Sequence, residues 1–428
     1  MHITIITMGS RGDVQPYLAF AVGLKNAGYQ VRLATHAKFE QEIRAYGLEF
    51  ALIKGNPQEA LASEAGQALM QTKNPLSFPR QLAALYEPIL KTACEDSWEA
   101  CQETDVIICG GVVFWGLYIA EKLGVPFYFA GMQPLSATSA FPNAAAPEWE
   151  RLGGIYNRFT YTFMFQLLWF AFRNPTNKFR QTVLNQSPFG LWDSPLSRKK
   201  NPKIHYLNAF SSAVIPKPAD WTEYDHVTGY WFLDTPKDFV PPDDLVEFLS
   251  SGTPPVYIGF GSMSGEKAEE AAKIALAALA KTQQRGIFLT GWGGIKNADL
   301  PDNVFKIESI PHSWLFPQMS CIVHHGGAGT TGATFRAGVP GVVIPFLGDQ
   351  PFWGYLGVKL GVSPAMIRHH QLTVDSLAMA ITKAIQDKDI KERAAALGEK
   401  IRSENGVIRA VEIVEKTAHE TPPSTLNF

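Results

Sequence analysis

The chain has 428 residues, which at about 150 residues per domain suggests two or three domains, each able to bury its own core. Its 38 Lys and Arg nearly balance 40 Asp and Glu, leaving a net charge of −2, and this excludes a protein built to neutralise a long nucleic-acid backbone. With 46% hydrophobic and 18% charged residues, disorder over any large part is excluded as well.

The first residues, MHITIIT, run directly into a strand-like apolar stretch without a basic leader, so no secretory signal is expected. A loop, MGSRGDVQP, follows, then a helical stretch YLAFAVGLKNAG and a second strand YQVRLAT, which together read as a βαβ unit. DVIICGG and LYIAEKLGVPFYFAG continue the alternation. Next comes IYNRFTYTFMFQLLWFAFR, whose Phe159, Phe163, Leu167 and Phe170 have helical spacing while aromatics occupy the other faces too. A helix apolar all round wants burial on several sides, so this one is expected between domains, or as a wall for a large apolar ligand or a surface resting on a membrane. Its most apolar window, Phe163 to Phe172, is about half the length needed to span a bilayer.

The Pro- and aromatic-rich stretch VTGYWFLDTPKDFVPPDDL reads as a linker, with a boundary near Thr235. Beyond it PVYIGF, GSMSGEK, AEEAAKIALAALAKTQQRG and IFLTG repeat the strand–loop–helix–strand order, and CIVHHGG…GATFRAGVPGVVIPF adds another unit. Strands alternating with helices imply parallel sheets covered on both faces. We therefore expect an α/β protein with two doubly wound, Rossmann-like domains over residues 1–235 and 236–409, the tail 410–428 packing back on the first. Cys94, Cys101, Cys109 and Cys321 form no CxxC pair, which predicts neither a disulfide framework nor a zinc site and favours a reducing, cytoplasmic setting.

The most informative stretch is CIVHHGGAGTTGATFRAGVPGVVIPFLGDQPFW, residues 321–353. A strand ends in two histidines and a Gly-rich turn opens a helix, whose free amides and dipole suit an anionic phosphate. Thr330 and Thr331 offer hydroxyls and His325 an imidazole N–H. Gly327, Gly329 and Gly332 also match GxGxxG, with Asp349 about 20 residues past Gly329, as in a dinucleotide fold. Asp349 lies in a loop beyond VVIPF beside Gln350, which weakens that alternative, an NAD-dependent oxidoreductase. Both readings place a diphosphate here. GK followed by Ser or Thr never occurs after a Gly-rich loop, and the one DxD, Asp387-Lys388-Asp389, reads as a solvated helix end, so no metal or cofactor is expected.

HHGGAGTT, then GVP and PFLGDQPFWG, closely resembles the sugar-nucleotide box of sterol glucosyltransferases and vancomycin-type antibiotic glycosyltransferases. GSRGDVQPYLA, VRLATHAKFE, GVPFYFAGMQPLSATSAFPNA and FGSM extend the resemblance to the sterol branch over nearly the whole chain. These are inverting UDP-glycosyltransferases of family 1 with the GT-B fold, in which two Rossmann-like domains face a cleft. The resemblance implies UDP-glucose as donor, with His325, Gly327, Gly329, Thr330 and Thr331 at the diphosphate and Asp349 and Gln350 on the sugar hydroxyls. Ser262 would approach the phosphate, uracil would meet backbone near Ile310, and Ser10 and Arg11 would border the donor from the other domain. Ser309 and Ala333 replace the stacking Trp and ribose-binding Glu of plant enzymes, which leaves UDP against TDP open.

The corresponding loop carries Asp13 as the base that takes the acceptor hydroxyl's proton during attack. From the loop alone an equally good reading is a cap on the helix that Pro16 helps start, and a carboxylate tied to amides is a poorer base. Arg11 could hold Asp13 ionised, and His36 reads as a structural histidine. Phe114, Trp115, Met132, Phe141, Phe163 and Trp169 are candidate linings for a lipophilic acceptor, sterol-like first and antibiotic or polyketide second, though each alone could be core. A sterol acceptor would imply peripheral membrane contact. A sugar-nucleotide- or lipid-binding protein without activity is the non-enzymatic alternative.

Overall fold

The computed structural model describes residues 1–55, 60, 63–66, 78–111, 113–146, 152–192, 194, 203–236, 238–261, 266–290 and 300–419. These form two compact units: residues 1–212, 216–232 and 405–428 make the first, and residues 213–215 and 233–404 the second. Apart from residues 213–215, the second unit is the continuous stretch from Leu233 to Glu404.

In the first unit the described elements are β1 (His2–Ile6), α1 (Arg11–Asn26), β2 (Gln30–Thr35), α2 (Glu40–Ala45), β3 (Glu49–Leu52), α3 (Phe78–Ala100), β4 (Val106–Gly110), α4 (Gly116–Leu123), β5 (Phe127–Gly131), α5 (Gly153–Thr182), β6 (His205–Asn208) and β7 (Asp225–Val227). The strands make one parallel sheet in the order β3-β2-β1-β4-β5-β6-β7. Its central strands are apolar on both faces because helices cover both: β4 and β5 are buried at every residue.

The second unit holds α6 (Asp243–Ser250), β8 (Val256–Gly259), α7 (Glu266–Thr282), β9 (Gly286–Leu289), β10 (Val304–Ile307), α8 (His312–Leu315), β11 (Cys321–His324), α9 (Ala328–Ala337), β12 (Gly341–Val343), α10 (Gln350–Lys359), α11 (Val374–Gln386) and α12 (Lys388–Ser403). Its five strands are also parallel, ordered β10-β9-β8-β11-β12. The period-two pleat sorts side chains between two cores. Val256, Ile258, Cys321 and Val323 meet the Ala-rich face of α7 and Leu377 and Ile381 of α11. Tyr257 and Ile322 turn the other way, onto Leu245, Leu315 and Phe316. Asp387, the first DxD residue, caps α12 by accepting the Ile390 amide at 3.1 Å.

Both sheets reverse their winding once, between β1 and β4 and between β8 and β11. At such a point the loops leaving neighbouring strands diverge and open a crevice at the strand ends, where α/β proteins bind ligands. The MGSRGD loop leaves β1 at the first of these points, and the histidine–glycine turn leaves β11 at the second.

The last described helix, α13 (Gly406–Thr417), returns to the first unit and packs on α1. Gly23 of α1 makes room for Val407, and a Cβ on Gly406 would lie 2.3 Å from the Tyr230 carbonyl oxygen. Tyr128 Oη and Thr417 Oγ1 join at 2.7 Å at the far end of α13. The aromatic helix α5 buries Tyr161, Trp169 and Phe179 but leaves Ile155, Phe159 and Phe163 exposed, so it is covered on one side only. Gly406→Ala must push α13 off backbone atoms that cannot yield. It is expected to cost about 1–3 kcal/mol of first-unit stability, measured by denaturant unfolding.

Candidate functional site

In the first unit the β1–α1 loop is held from below. Thr7 Oγ1 donates to the Asp13 carbonyl at 2.7 Å, and the Gly9 amide donates to His36 Nε2 at 3.0 Å. His36 Nδ1 faces the Ile53 carbonyl at 3.1 Å, so these partners assign a neutral ring with its proton on Nδ1. His36 is buried and serves as a strut for the loop. Gly9 has φ +134°, and a Cβ there would stand 2.4 Å from Asp13 Oδ2.

Ser10, not Asp13, occupies the N-cap of α1. Asp13 reaches back from the third helical position, Oδ2 accepting the Ser10 amide at 2.7 Å and the Ser10 hydroxyl at 2.8 Å. Its other oxygen, Oδ1, accepts no hydrogen bond among the described residues. Capping and basicity, read from the sequence as competing, are therefore divided between the two oxygens of one carboxylate. Asp13 keeps contact with solvent, yet the protein around it displaces enough water to raise its pKa above the usual carboxylate value. The Ser10 bonds and the charge of Lys38 oppose that rise. Arg11 plays no part in holding Asp13 ionised: its guanidinium pairs with both oxygens of Glu42 on α2, at 2.9 and 3.3 Å.

In the second unit His324 and His325 end β11. His324 is buried, and its Nδ1 accepts the Gly326 amide at 3.1 Å. Loss of solvent drives its pKa well below the ordinary value, so it is a neutral acceptor shaping the turn. His325 sits between glycines: added Cβ atoms would stand 2.7 Å from its Cε1 at Gly261 and 2.5 Å from its Nε2 at Gly327. Its Nδ1 is buried without a hydrogen-bond partner among the described residues. Desolvation pushes its pKa down to about 4, opposed by the Gly259 carbonyl.

Gly327 is the N-cap of α9, in extended conformation and with no side-chain cap. The first turn closes with the Thr331 amide on the Gly327 carbonyl at 2.9 Å, while the amides of Ala328, Gly329 and Thr330 find no acceptor among the described residues. Three unpaired amides, the positive end of the helix dipole and the His325 ring, its Nε2 beside Gly327, stand at one turn, a combination suited to phosphate oxygens. Thr330 is half-buried, whereas Thr331 faces inward with its hydroxyl buried.

The loop before α10 is organised by the two residues expected on the sugar. Gln350 is buried, and its Oε1 accepts the amides of Phe346 at 2.7 Å and Leu347 at 3.1 Å. Asp349 stands at the N-cap position of α10 without a side-chain cap bond, and its Oδ2 accepts the Trp353 indole N–H at 2.8 Å. Both are thus rigidly held within their own loop. Ile310 is half-buried between β10 and α8, and Ser262 lies outside the described residues.

The acceptor candidates divide. Phe114 and Trp115 lie inside the first core, Trp115 donating to Ser97 Oγ at 2.9 Å. Trp169 is buried too and donates to the Gly190 carbonyl at 3.0 Å. These three bulky side chains fill the space between sheet and helices, which is core packing. Met132 and Phe141 are half-buried in the loop after β5, and Phe163 is exposed. No group of three or more His, Cys, Asp or Glu able to hold a metal occurs among the described residues.

Residues 3–142 match the model of the glycosyltransferase family 28 N-terminal domain, and residues 291–417 that of the erythromycin biosynthesis protein CIII-like C-terminal domain. Over 97% of this chain, the sequence is 37% identical to a sterol 3-beta-glucosyltransferase of Cryptococcus neoformans var. neoformans serotype D and 37% to one of Yarrowia lipolytica. The matches cover 27% and 28% of those proteins, so the chain spans less than a third of the curated relatives it matches. Among solved structures, the calicheamicin glycosyltransferase CalG4 superposes with a TM-score of 0.67 at 19% identity, covering 97% of each chain. The spinosyn forosaminyltransferase SpnP gives 0.70 at 15% identity over 98% of this chain and 100% of its own. The chain has the GT-B fold, with a glycosyltransferase family 28-like N-terminal domain and an erythromycin biosynthesis protein CIII-like C-terminal domain. Its two parallel sheets are the two Rossmann-like domains of that fold.

In this GT-B fold, loss of solvent around His325 favours the neutral ring and pushes its pKa down to about 4. Folding favours the uncharged ring, so its contribution to stability is present above pH ~6.5 and is lost as pH falls toward about 4. A diphosphate beside the ring favours the proton and raises that pKa. Binding of a nucleoside diphosphate sugar, whose diphosphate does not titrate in this range, is expected to take up protons between pH 4 and 6.5 but not at pH 8. Calorimetry in buffers of different ionisation enthalpy measures the uptake, and it should vanish in His325→Gln. Gly327→Ala, by displacing the ring, should weaken UDP binding at least about tenfold, the loss of a charge-assisted hydrogen bond.

Proposed function

We propose that the chain transfers glucose from UDP-glucose to the hydroxyl of a lipophilic, sterol-like acceptor, with inversion at the anomeric carbon and without a metal. The observation that carries the catalytic part is the divided carboxylate of Asp13, one oxygen tied to Ser10 and the other free. Relatives named sterol 3-beta-glucosyltransferases support the acceptor class.

In this reading Asp13 Oδ1 accepts the acceptor's proton as the hydroxyl oxygen attacks the anomeric carbon. An alcohol is too weak an acid to ionise first, so transfer accompanies attack, and a base whose pKa is raised is better matched to the task. The bond from the anomeric carbon to the diphosphate oxygen breaks on the opposite face. The charge left on that oxygen is stabilised by the three free amides of α9 and by His325, groups already oriented before reaction. Asp349 and Gln350 present the sugar-binding loop, Thr330 adds a hydroxyl at the phosphate, and Met132 and Phe141 remain the acceptor-side candidates in the loop after β5.

A second donor reading has its own support: the structures of SsfS6 with thymidine diphosphate and of VinC with dTDP share this fold. Ser309 and Ala333 also leave the base and ribose contacts undetermined. Turnover of UDP-glucose and TDP-glucose with sterol and polyketide acceptors separates the two. NADH has less in its favour, because Asp349 lies at the start of α10 and bonds Trp353 rather than standing at the tip of β12.

Asp13→Asn keeps an oxygen for the Ser10 amide but loses the base. Transfer is expected to fall about a hundred- to ten-thousand-fold with UDP affinity unchanged. Turnover near wild type would end the assignment. The acid limb of kcat/KM in the parent enzyme should lie above the ordinary Asp value, since the Asp13 pKa is raised.

A further inference from the structure

Of the fifteen exposed large hydrophobic side chains among the described residues, seven gather on one surface of the first unit: Leu152, Ile155, Phe159, Phe163, Phe170, Leu191 and Trp192. Scattered exposed apolar residues are ordinary, whereas a contiguous group is an interaction surface. Ile155, Phe159 and Phe163 follow one another at four-residue spacing along α5 and Phe170 continues their face. From Ile155 to Phe170 the stripe is about 22 Å long. It is well ordered. Phe159 and Phe163 stack at 5.9 Å, and Trp192 meets Phe170 edge-on at 5.6 Å. The segment bearing Leu191 and Trp192 is laced to α5 by Trp169 on the Gly190 carbonyl at 3.0 Å and Gln166 on the Leu191 carbonyl at 2.9 Å. Ile155 is 90% and Trp192 73% exposed.

The charge on this helix is one-sided. α5 contains Arg158, Arg173, Lys178 and Arg180 and no Asp or Glu, in a chain of net charge −2. Arg180 is buried against Glu121 and Arg158 bonds Asp220 at the edge. Arg173 and Lys178 carry no ion pair among the described residues. Arg173 stands about five full turns from Ile155, on the same line of the helix.

We propose that this face of α5 rests in the interface of an anionic lipid bilayer, the aromatic stripe among the acyl chains and Arg173, on the same line of the helix, at the headgroups. An aromatic and aliphatic face on a helix that carries basic and no acidic residues is the pattern of a helix lying in the membrane plane. A second copy of the chain fits less well, because it would set one all-basic helix against another. No described helix is long and apolar enough to cross a membrane, so the contact is superficial. The inference builds on the lipophilic acceptor proposed above, since such a molecule resides in the bilayer that the acceptor-side unit would touch.

The full chain is tested by flotation with phosphatidylcholine vesicles with and without phosphatidylserine. Wild type is expected to float with the anionic vesicles, and Ile155→Asp with Phe159→Asp to lose at least about tenfold of that binding. Turnover of a detergent-dispersed acceptor should be kept in this variant, and turnover of the same acceptor embedded in vesicles should fall. Trp192→Ser, a milder change, should lower binding in the same direction, and brominated lipids should quench a fluorescence component missing from it. The proposal is overturned if wild type floats with neither vesicle, if the variants float as well as wild type, or if light scattering shows a dimer that they split. Flotation without turnover of any acceptor would instead overturn the proposed function alone.

Discussion

Unpaired backbone amides are the constraint around which the second unit is arranged. Every helix begins with N–H groups that its own turns cannot satisfy, and most find a side-chain cap or water. α9 opens with glycine, which offers no cap, directly after a strand buried on both faces. The donors of Ala328, Gly329 and Thr330 are therefore left unpaired beside the His325 ring, which lies against Gly327. The imidazole occupies a slot that exists because Gly261 and Gly327 have no Cβ. Burial keeps the ring neutral, so it can donate a hydrogen bond to an anion without adding a permanent buried charge, which a low-dielectric site tolerates poorly.

The first unit solves a related problem with a carboxylate. Asp13 satisfies the start of α1 with one oxygen and keeps the other for chemistry, while Gly9 and the neutral His36 hold the loop that carries it. Tyr17, one turn further along α1, is buried with its hydroxyl on the Ala130 carbonyl at 2.7 Å and has its pKa driven far up, so it stays neutral. The titratable side chain this loop brings forward from α1 without an ion pair among the described residues is thus Asp13, because Arg11 pairs with Glu42.

Much of this was legible in advance. Apolar runs of four to six residues separated by amphipathic stretches identified most strands, because a parallel sheet buried on both faces leaves little room for polar residues. Strands β6 and β7 were missed: HYLN and DHV carry histidine and aspartate, which only pairing inside the fold can bury. The start of α1 was placed six residues late, since Gly12, Asp13 and Pro16 read as loop. Pro16 is tolerated so near the helix start because just one internal hydrogen bond is forfeited there. Phe114, Trp115 and Trp169 were read as a lining because composition marks a residue as apolar without saying what it touches.

The order and type of residues by themselves determined the alternating architecture, the phosphate-friendly turn and the place of Asp13 in its loop. These depend on local spacing, which the chain carries wherever it goes. Only the tertiary structure decided which oxygen of Asp13 is free, that Arg11 turns to Glu42, that Gln350 holds its own loop, and which side of α5 meets solvent. Each of those depends on partners far away in sequence, and hydrogen bonds and burial are settled by distance in space.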